Sequence, residues 1–196
     1  MPLTFAIDYG SKLAGTTVVV SGDPAASEPL TFTASAKKQD ADAMIADLLL
    51  PHDTAEVLLD APLSLPGVYR QLPGFNDFHL RRGDRELGAM SPMFLGGLTA
   101  RAMRLADENK HCTWHETYPA AQAKRLELPK DRYKKNADAL PELVAQLAEN
   151  LKSPFDPEEI KSWHHFDALL AWLAAERHAH GEAESHGDPA EGAILI

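Results

Sequence analysis

Two short apolar runs, Leu3 to Asp8 and Glu56 to Asp60, each end on an aspartate, and the chain between them dictates how those ends lie. Leu3 to Asp8 reads as a buried strand. Tyr9-Gly10-Ser11-Lys12 turns it, and Thr16 to Val20, rich in Thr and Val, makes a second strand. So short a link permits only an antiparallel hairpin. Gly22, Asp23 and Pro24 open the next turn, and Leu30 to Ala34 forms a third strand, which then runs parallel to the first. Asp40 to Leu50 has a helical pattern, with Met44, Ile45, Leu48 and Leu49 on one side. A helical crossover delivers Glu56 to Asp60 as a fourth strand, parallel to the third. His111 to Thr117 reads as a fifth in the same sense. Asp8, Asp60 and Glu116 therefore fall at the carboxyl ends of parallel strands, the edge where open α/β sheets bind ligands.

Residues 61–110 break this regularity. Pro62, Pro66, Pro73 and Pro92 punctuate them, Arg82-Gly83-Asp84 reads as a turn, and a helix is predicted from about Met93 to Glu108. Pro119 starts a further helix, proline suiting a first turn. Two more span about Ala137 to Leu151 and Trp163 to about His178. The acidic stretch Gly181 to Glu191 is expected to lie loose, and Ala193 to Ile196 to close the sheet. With no repeat and no linker, residues 1–196 make one domain with an insert at about 61–110. Long loops in compact domains are functional or disordered, so the insert is expected over the acidic edge as a lid or substrate platform.

Asp167 joins the three strand-end carboxylates. At helical spacing it shares a face with Trp163, Leu170, Ala171 and Ala174, an apolar stripe that should meet the sheet. A carboxylate there is costly unless something compensates it. Mg²⁺ (or Mn²⁺) would, since hard cations take oxygen ligands. Each residue has an ordinary alternative: Asp8 or Asp60 as a turn cap, Asp167 as a first-turn residue favoured by the helix dipole, Glu116 as a paired surface residue. Their convergence on one edge favours a metal site.

A net charge of −10 speaks against nucleic acid, because phosphate binding draws on a basic footprint. The distribution softens this. Residues 60–135 carry 13 Lys/Arg against 9 Asp/Glu, and the remainder 6 against 20. At 44% hydrophobic and 24% charged the chain has the balance of a folded protein, not a disordered one. Its longest purely apolar stretch, Ala168 to Ala175, is far short of the roughly 20 residues of a membrane span. Asp8 and Lys12 interrupt the only apolar run near the N-terminus, so no secretory layout is expected. A single cysteine, Cys112, allows no disulfide framework and fits a reducing cytoplasm.

Ile7-Asp8-Tyr9-Gly10-Ser11-Lys12-Leu13-Ala14-Gly15 resembles the opening motif of the RNase H-like superfamily, especially its Holliday-junction-resolvase branch. More specifically, the chain resembles domain-of-unknown-function family 429, predicted nucleases of that fold. The matching pieces are Asp60-Ala61-Pro62-Leu63-Ser64-Leu65-Pro66, Arg82-Gly83-Asp84-Arg85-Glu86-Leu87, Glu116-Thr117-Tyr118-Pro119-Ala120-Ala121, Tyr133-Lys134, Phe166-Asp167-Ala168-Leu169, and Gly187-Asp188 with Glu191-Gly192. The family segment often has a cysteine where Gly83 stands here. The resemblance implies an α/β RNase H-like fold with a mixed five-stranded sheet in the order 3-2-1-4-5, helices on both faces, and a metal site at Asp8, Asp60, Glu116 and Asp167.

Under that resemblance these four residues are the catalytic carboxylates of a metal-dependent nuclease, holding two Mg²⁺ about 4 Å apart with Asp8 bridging them. Lys134, Arg82, Arg85 and Ser11 are the candidates to bind substrate, guanidinium suiting bidentate phosphate contact. The expected partner is nucleic acid, DNA or RNA, with oligomeric state open. Two other readings stand beside it. The scaffold can serve as a non-catalytic nucleic-acid or protein binding domain. Asp8-Tyr9-Gly10-Ser11 followed by Gly15 also resembles the first phosphate loop of actin-like sugar kinases, but those need two such domains, and Gly96-Gly97 is the only double glycine here. His164, His165, His178 and His180 crowd the last helix, and His115 neighbours Glu116. His164 shares a face with Asp167, yet the uneven spacing defines no metal site.

Overall fold

The computed structural model describes residues 3–196. Seven strands form one mixed sheet: β1 (Leu3–Asp8), β2 (Val18–Gly22), β3 (Thr31–Ala34), β4 (Ala55–Leu59), β5 (Thr113–Thr117), β6 (Ser185–His186) and β7 (Ile194–Leu195). Their order is β3-β2-β1-β4-β5-β7-β6. The five expected strands keep the expected order and directions, with β2 antiparallel to β1 and β3, and β1, β4 and β5 mutually parallel. The expectation of five strands is corrected to seven. β7 adds parallel to β5 and β6 adds antiparallel to β7. The stretch from Gly181 to Glu191 thus contributes a strand instead of lying loose. Apolar Ile194 and Ile196 bury themselves, and the Thr117 hydroxyl donates to the Leu195 carbonyl at 2.8 Å.

Helices cover both faces. On one, α1 (Ala41–Leu49), capped by the Asp40 side chain on the amides of Asp42 and Ala43, packs Met44, Ile45 and Leu49 against Phe5, Ile7, Val57 and Leu59. On the other, α5 (Pro119–Arg125), α6 (Leu140–Ala148) and α7 (Trp163–Ala179) close over Ala6, Val18, Val20 and Leu58. Residues Phe166 to Glu176 of α7 are buried without a break, because α7 lies between β1, β2 and β4 on one side and α5 and α6 on the other. Its apolar surface is therefore all round and not the single stripe that helical spacing outlines. No helix among the described residues is long and apolar enough to cross a membrane.

Residues 61–110 are integral to this core. Arg82-Gly83-Asp84 begins a short helix, α2 (Arg82–Leu87), not a turn. The predicted Met93–Glu108 helix is two, α3 (Pro92–Leu95) and α4 (Gly97–Glu108), broken at Gly96, whose φ of 38° leaves helical geometry. Ala102 and Leu105 of α4 join the α1 side of the core. Arg101 fastens α4 to the end of β1: it donates to Asp42 at 2.6 and 3.1 Å and to the Gly10 carbonyl at 3.1 Å, and it stacks over the Tyr9 ring. Gly83 packs where α2 meets the C-terminal hairpin. An added Cβ there would come within 3.0 Å of the His186 carbonyl oxygen.

Candidate active site

Side chains alternate along a strand, and register partners on adjacent strands share a face. Ala6 pairs with Leu58 and both lie under α7, so Asp8 and Asp60, two residues further along each strand, face α7 as well. The Asp60 amide donates to the Ile7 carbonyl at 2.9 Å, continuing the ladder past β4 and holding the two aspartates at one edge. Asp167, in the second turn of α7, comes down onto them. Its Oδ1 accepts from the Tyr133 hydroxyl at 2.6 Å, and its Oδ2 is ion-paired with the Lys134 ammonium. Tyr133 is set by edge-on contacts with Trp163 and by Phe166, which places its hydroxyl and the next residue, Lys134, beside the cluster. His164, one turn before Asp167, brings Nδ1 to 2.7 Å from Asp8 Oδ2.

Asp60 is the unusual member. Half-buried at the carboxyl end of β4, its side chain has no hydrogen-bond donor and no ion-pair partner among the described residues. Burial holds its carboxyl well above the usual carboxylate range, and the charges of Asp8 and Asp167 push it further, offset in part by Lys134. Burial pushes the Asp167 carboxyl up to about 6, against the pull of Lys134 and with the help of Asp8. The bond to Asp8 raises His164, and the surrounding carboxylates outweigh burial to raise Lys134. Three carboxylates thus converge, with Lys134 and His164 on the oxygens of Asp167 and Asp8, and Asp60 has no partner of its own.

Glu116 differs from these three in its bonding, though it lines the same cleft as Asp60 and its charge helps to raise that carboxyl. Its register partner is Leu59, so it emerges on the α1 face, opposite Asp8 and Asp60. There Arg81 donates to both of its oxygens, at 2.5 and 2.6 Å, and the Leu63 amide adds a third bond at 3.0 Å. Arg81, 1% exposed, also grips Asp84 through Nε and Nη2 at 3.1 and 2.6 Å. Burial works against this guanidinium's charge, and Glu116 and Asp84 outweigh it. A carboxylate whose oxygens are taken this way is an anchor for the insert. The cleft of about 230 Å³ between insert and sheet has Asp60 and Glu116 on its walls, with Tyr9, Pro62, Met90 and Tyr118. The insert does therefore border the acidic edge.

The expected substrate-binding residues scatter. Lys134 belongs to the cluster. Arg82 is exposed and paired with Glu86 at 2.7 Å, and Arg85 is exposed and paired with Asp77. Neither reaches the carboxylates. Ser11 is exposed in the turn after β1. The amides of that turn are already used, Gly10 on the Thr17 hydroxyl and Ser11 on that of Thr16, at 3.1 and 3.2 Å. A phosphate loop needs such amides unpaired.

Four residues with parts to play lie outside the expected set: Arg81, His164, Tyr133 and Glu191. Glu191 is buried and accepts from the amides of Gly67 and Arg82, at 2.7 Å each, tying two points in the first half of the insert to the C-terminal hairpin. Position beside a motif marks Arg81, the piece Tyr133-Lys134 contains Tyr133, and helical spacing to Asp167 marks His164. Glu191 lies in the matching piece Glu191-Gly192, which gives it no role. The donor atoms of Asp8, Asp60 and Asp167 do not all close to within 4.8 Å of one another; among the described residues only Glu56, His115 and His178 do so. No protein-family model matches the chain, and no curated protein matches it.

Proposed function

We propose that Asp8, Asp60 and Asp167 hold Mg²⁺ or Mn²⁺ at the active centre of a phosphodiester-cleaving nuclease built on an RNase H-like fold. The observation that carries this reading is the Asp60 carboxylate: desolvated, without a donor, and flanked by two like charges. Such a group stabilises nothing without a cation, and an all-oxygen donor set suits a hard one that keeps several waters. A set looser than 4.8 Å fits ions that reach some of their ligands through water. Bound there, the metal would lower the pKa of a coordinated water and offset charge on the phosphate oxygens. The protein's own contribution is positional. Tyr133 and Lys134 orient Asp167, and His164 orients Asp8. Lys134, half in solvent, supplies the positive charge next to the cluster that a phosphate oxygen requires. Arg82 and Arg85 have no part in this proposal.

One observation favours the rival reading, a binding domain without catalysis: Asp8 and Asp167 already have side-chain partners, His164 and Lys134. A Mn²⁺-supported cleavage screen over single-stranded, duplex and branched DNA and RNA decides between them, with Asp60→Asn and Asp8→Asn as controls. Cleavage of at least one substrate, lost in both variants and in EDTA, is expected. Binding without cleavage, or cleavage that survives Asp60→Asn, overturns the nuclease.

A further inference from the structure

At the opposite end of α7, three side chains distant in sequence meet. Glu56 is the second residue of β4 and lies on the α7 face, two residues before Leu58. His115 is the register partner of Leu58 on β5 and so lies on that same face. His178 comes from the last turn of α7. Their donor atoms all lie within 4.8 Å of one another. His178 Nε2 is 4.0 Å from Glu56 Oε2, and the two imidazole rings sit 4.6 Å apart, tilted by 55°.

These three groups converge without bonding to one another. A hydrogen-bonded network would bring nitrogen and oxygen to about 3 Å, and 4.0 Å is too long. His115 Nε2 is buried and has no hydrogen-bond partner at all. Zinc–nitrogen and zinc–oxygen bonds of roughly 2.0–2.2 Å separate tetrahedral donors by about 3.4 Å, so small side-chain rotations would close the set on an ion. All three residues are only partly buried, which leaves a coordination position facing water.

We propose that Glu56, His115 and His178 form a site for a divalent transition-metal ion of the zinc class, distinct from the carboxylate cluster. The donors decide the class: two imidazoles and one carboxylate suit Zn²⁺, Co²⁺ or Ni²⁺, whereas Mg²⁺ prefers oxygen alone. Eleven residues of α7 separate His178 from Asp167, about 16 Å at the helical rise, so the two sites load independently. An ion here ties the C-terminal end of α7 to the beginning of β4 and to β5, and its water-facing position is open to an exogenous ligand.

The test is Co²⁺ titration of the full chain after EDTA treatment and dialysis, read by the visible bands of low-coordinate cobalt and by calorimetry with Zn²⁺. With excess Mg²⁺ present to fill the carboxylate cluster, one Co²⁺ per chain is expected, displaced by Zn²⁺. Affinity should fall at least tenfold in His178→Ala and in Glu56→Gln, a near-isosteric change that preserves the fold. His186→Ala, which alters the separate contact of His186 with Glu86 and Glu184, should bind as wild type does. No stoichiometric uptake, or uptake unchanged by His178→Ala and Glu56→Gln, overturns the proposal.

Discussion

Leu59 and Glu116 are register partners across β4 and β5, so Glu116 points with Leu59 toward α1 while Asp60, the next residue after Leu59, points toward α7. The two side chains leave the sheet on opposite faces yet border one cleft, near enough for the Glu116 charge to help raise Asp60. Glu116 there meets Arg81, and Asp60 meets Asp8 and Asp167.

Arg81 holds two buried carboxylates, so its removal strands both. Arg81→Met is expected to destabilise the fold by about 3–5 kcal/mol, measured by urea denaturation. Glu116→Gln keeps the Arg81–Asp84 pair and should lose about 1–3 kcal/mol. Its Mg²⁺-dependent rise in melting temperature should equal that of wild type. An abolished metal response in Glu116→Gln would return this residue to the metal site.

Asp60→Asn removes a charge that has no donor and two like neighbours. In EDTA the variant should melt about 2–4 °C higher than wild type, corresponding to roughly 1 kcal/mol. With Mg²⁺ or Mn²⁺ the order should reverse, because binding stabilises only the protein that has the site. Equal destabilisation of the variant with and without metal would make Asp60 a structural cap.

The raised Asp167 carboxyl sets a pH dependence of definite sign. Its folded value, about 6, lies above the ordinary 3.8, so between those values the folded state binds the extra proton. Its contribution to stability is present in full below about 4 and is lost as pH rises through about 6. The shift corresponds to on the order of 3 kcal/mol. Relative to Asp167→Asn, metal-free wild type should therefore lose stability across pH 4–6 and run parallel above it. Denaturation midpoints of both proteins at half-unit pH steps provide the check. A wild type that gains stability relative to Asp167→Asn as pH rises would contradict the assignment.

Gly192 has a φ of 111°, and a Cβ there would fall 2.3 Å from the Ser64 hydroxyl oxygen. Ser64 donates to the Glu191 carbonyl at 2.7 Å in the same clamp. Gly192→Ala should cost about 1–3 kcal/mol and loosen the insert, seen as faster hydrogen exchange at the Gly67 and Arg82 amides. Unchanged exchange there would show that the clamp is dispensable.

The sequence by itself determined strands β1 to β5, their directions, and the edge on which Asp8 and Asp60 emerge, while their order in the sheet was implied by the family resemblance. Those features are local: apolar runs, turn residues, the Asp40 cap, and links too short or too long for any other crossover. The face on which Glu116 emerges was legible in part too, since it alternates with Cys112 and Trp114 on the apolar face of β5. In β1 and β4, buried on both sides, alternation carries no such signal. Only the tertiary structure decided the rest. Register between β4 and β5 is set by packing across a connection of more than fifty residues, and a slip of one residue would exchange the faces. Arg81, Glu191, and the meeting of Glu56, His115 and His178 depend in the same way on elements far apart in the chain. Their contacts arise when separate apolar surfaces are buried together, and no local pattern encodes which polar groups that burial brings face to face.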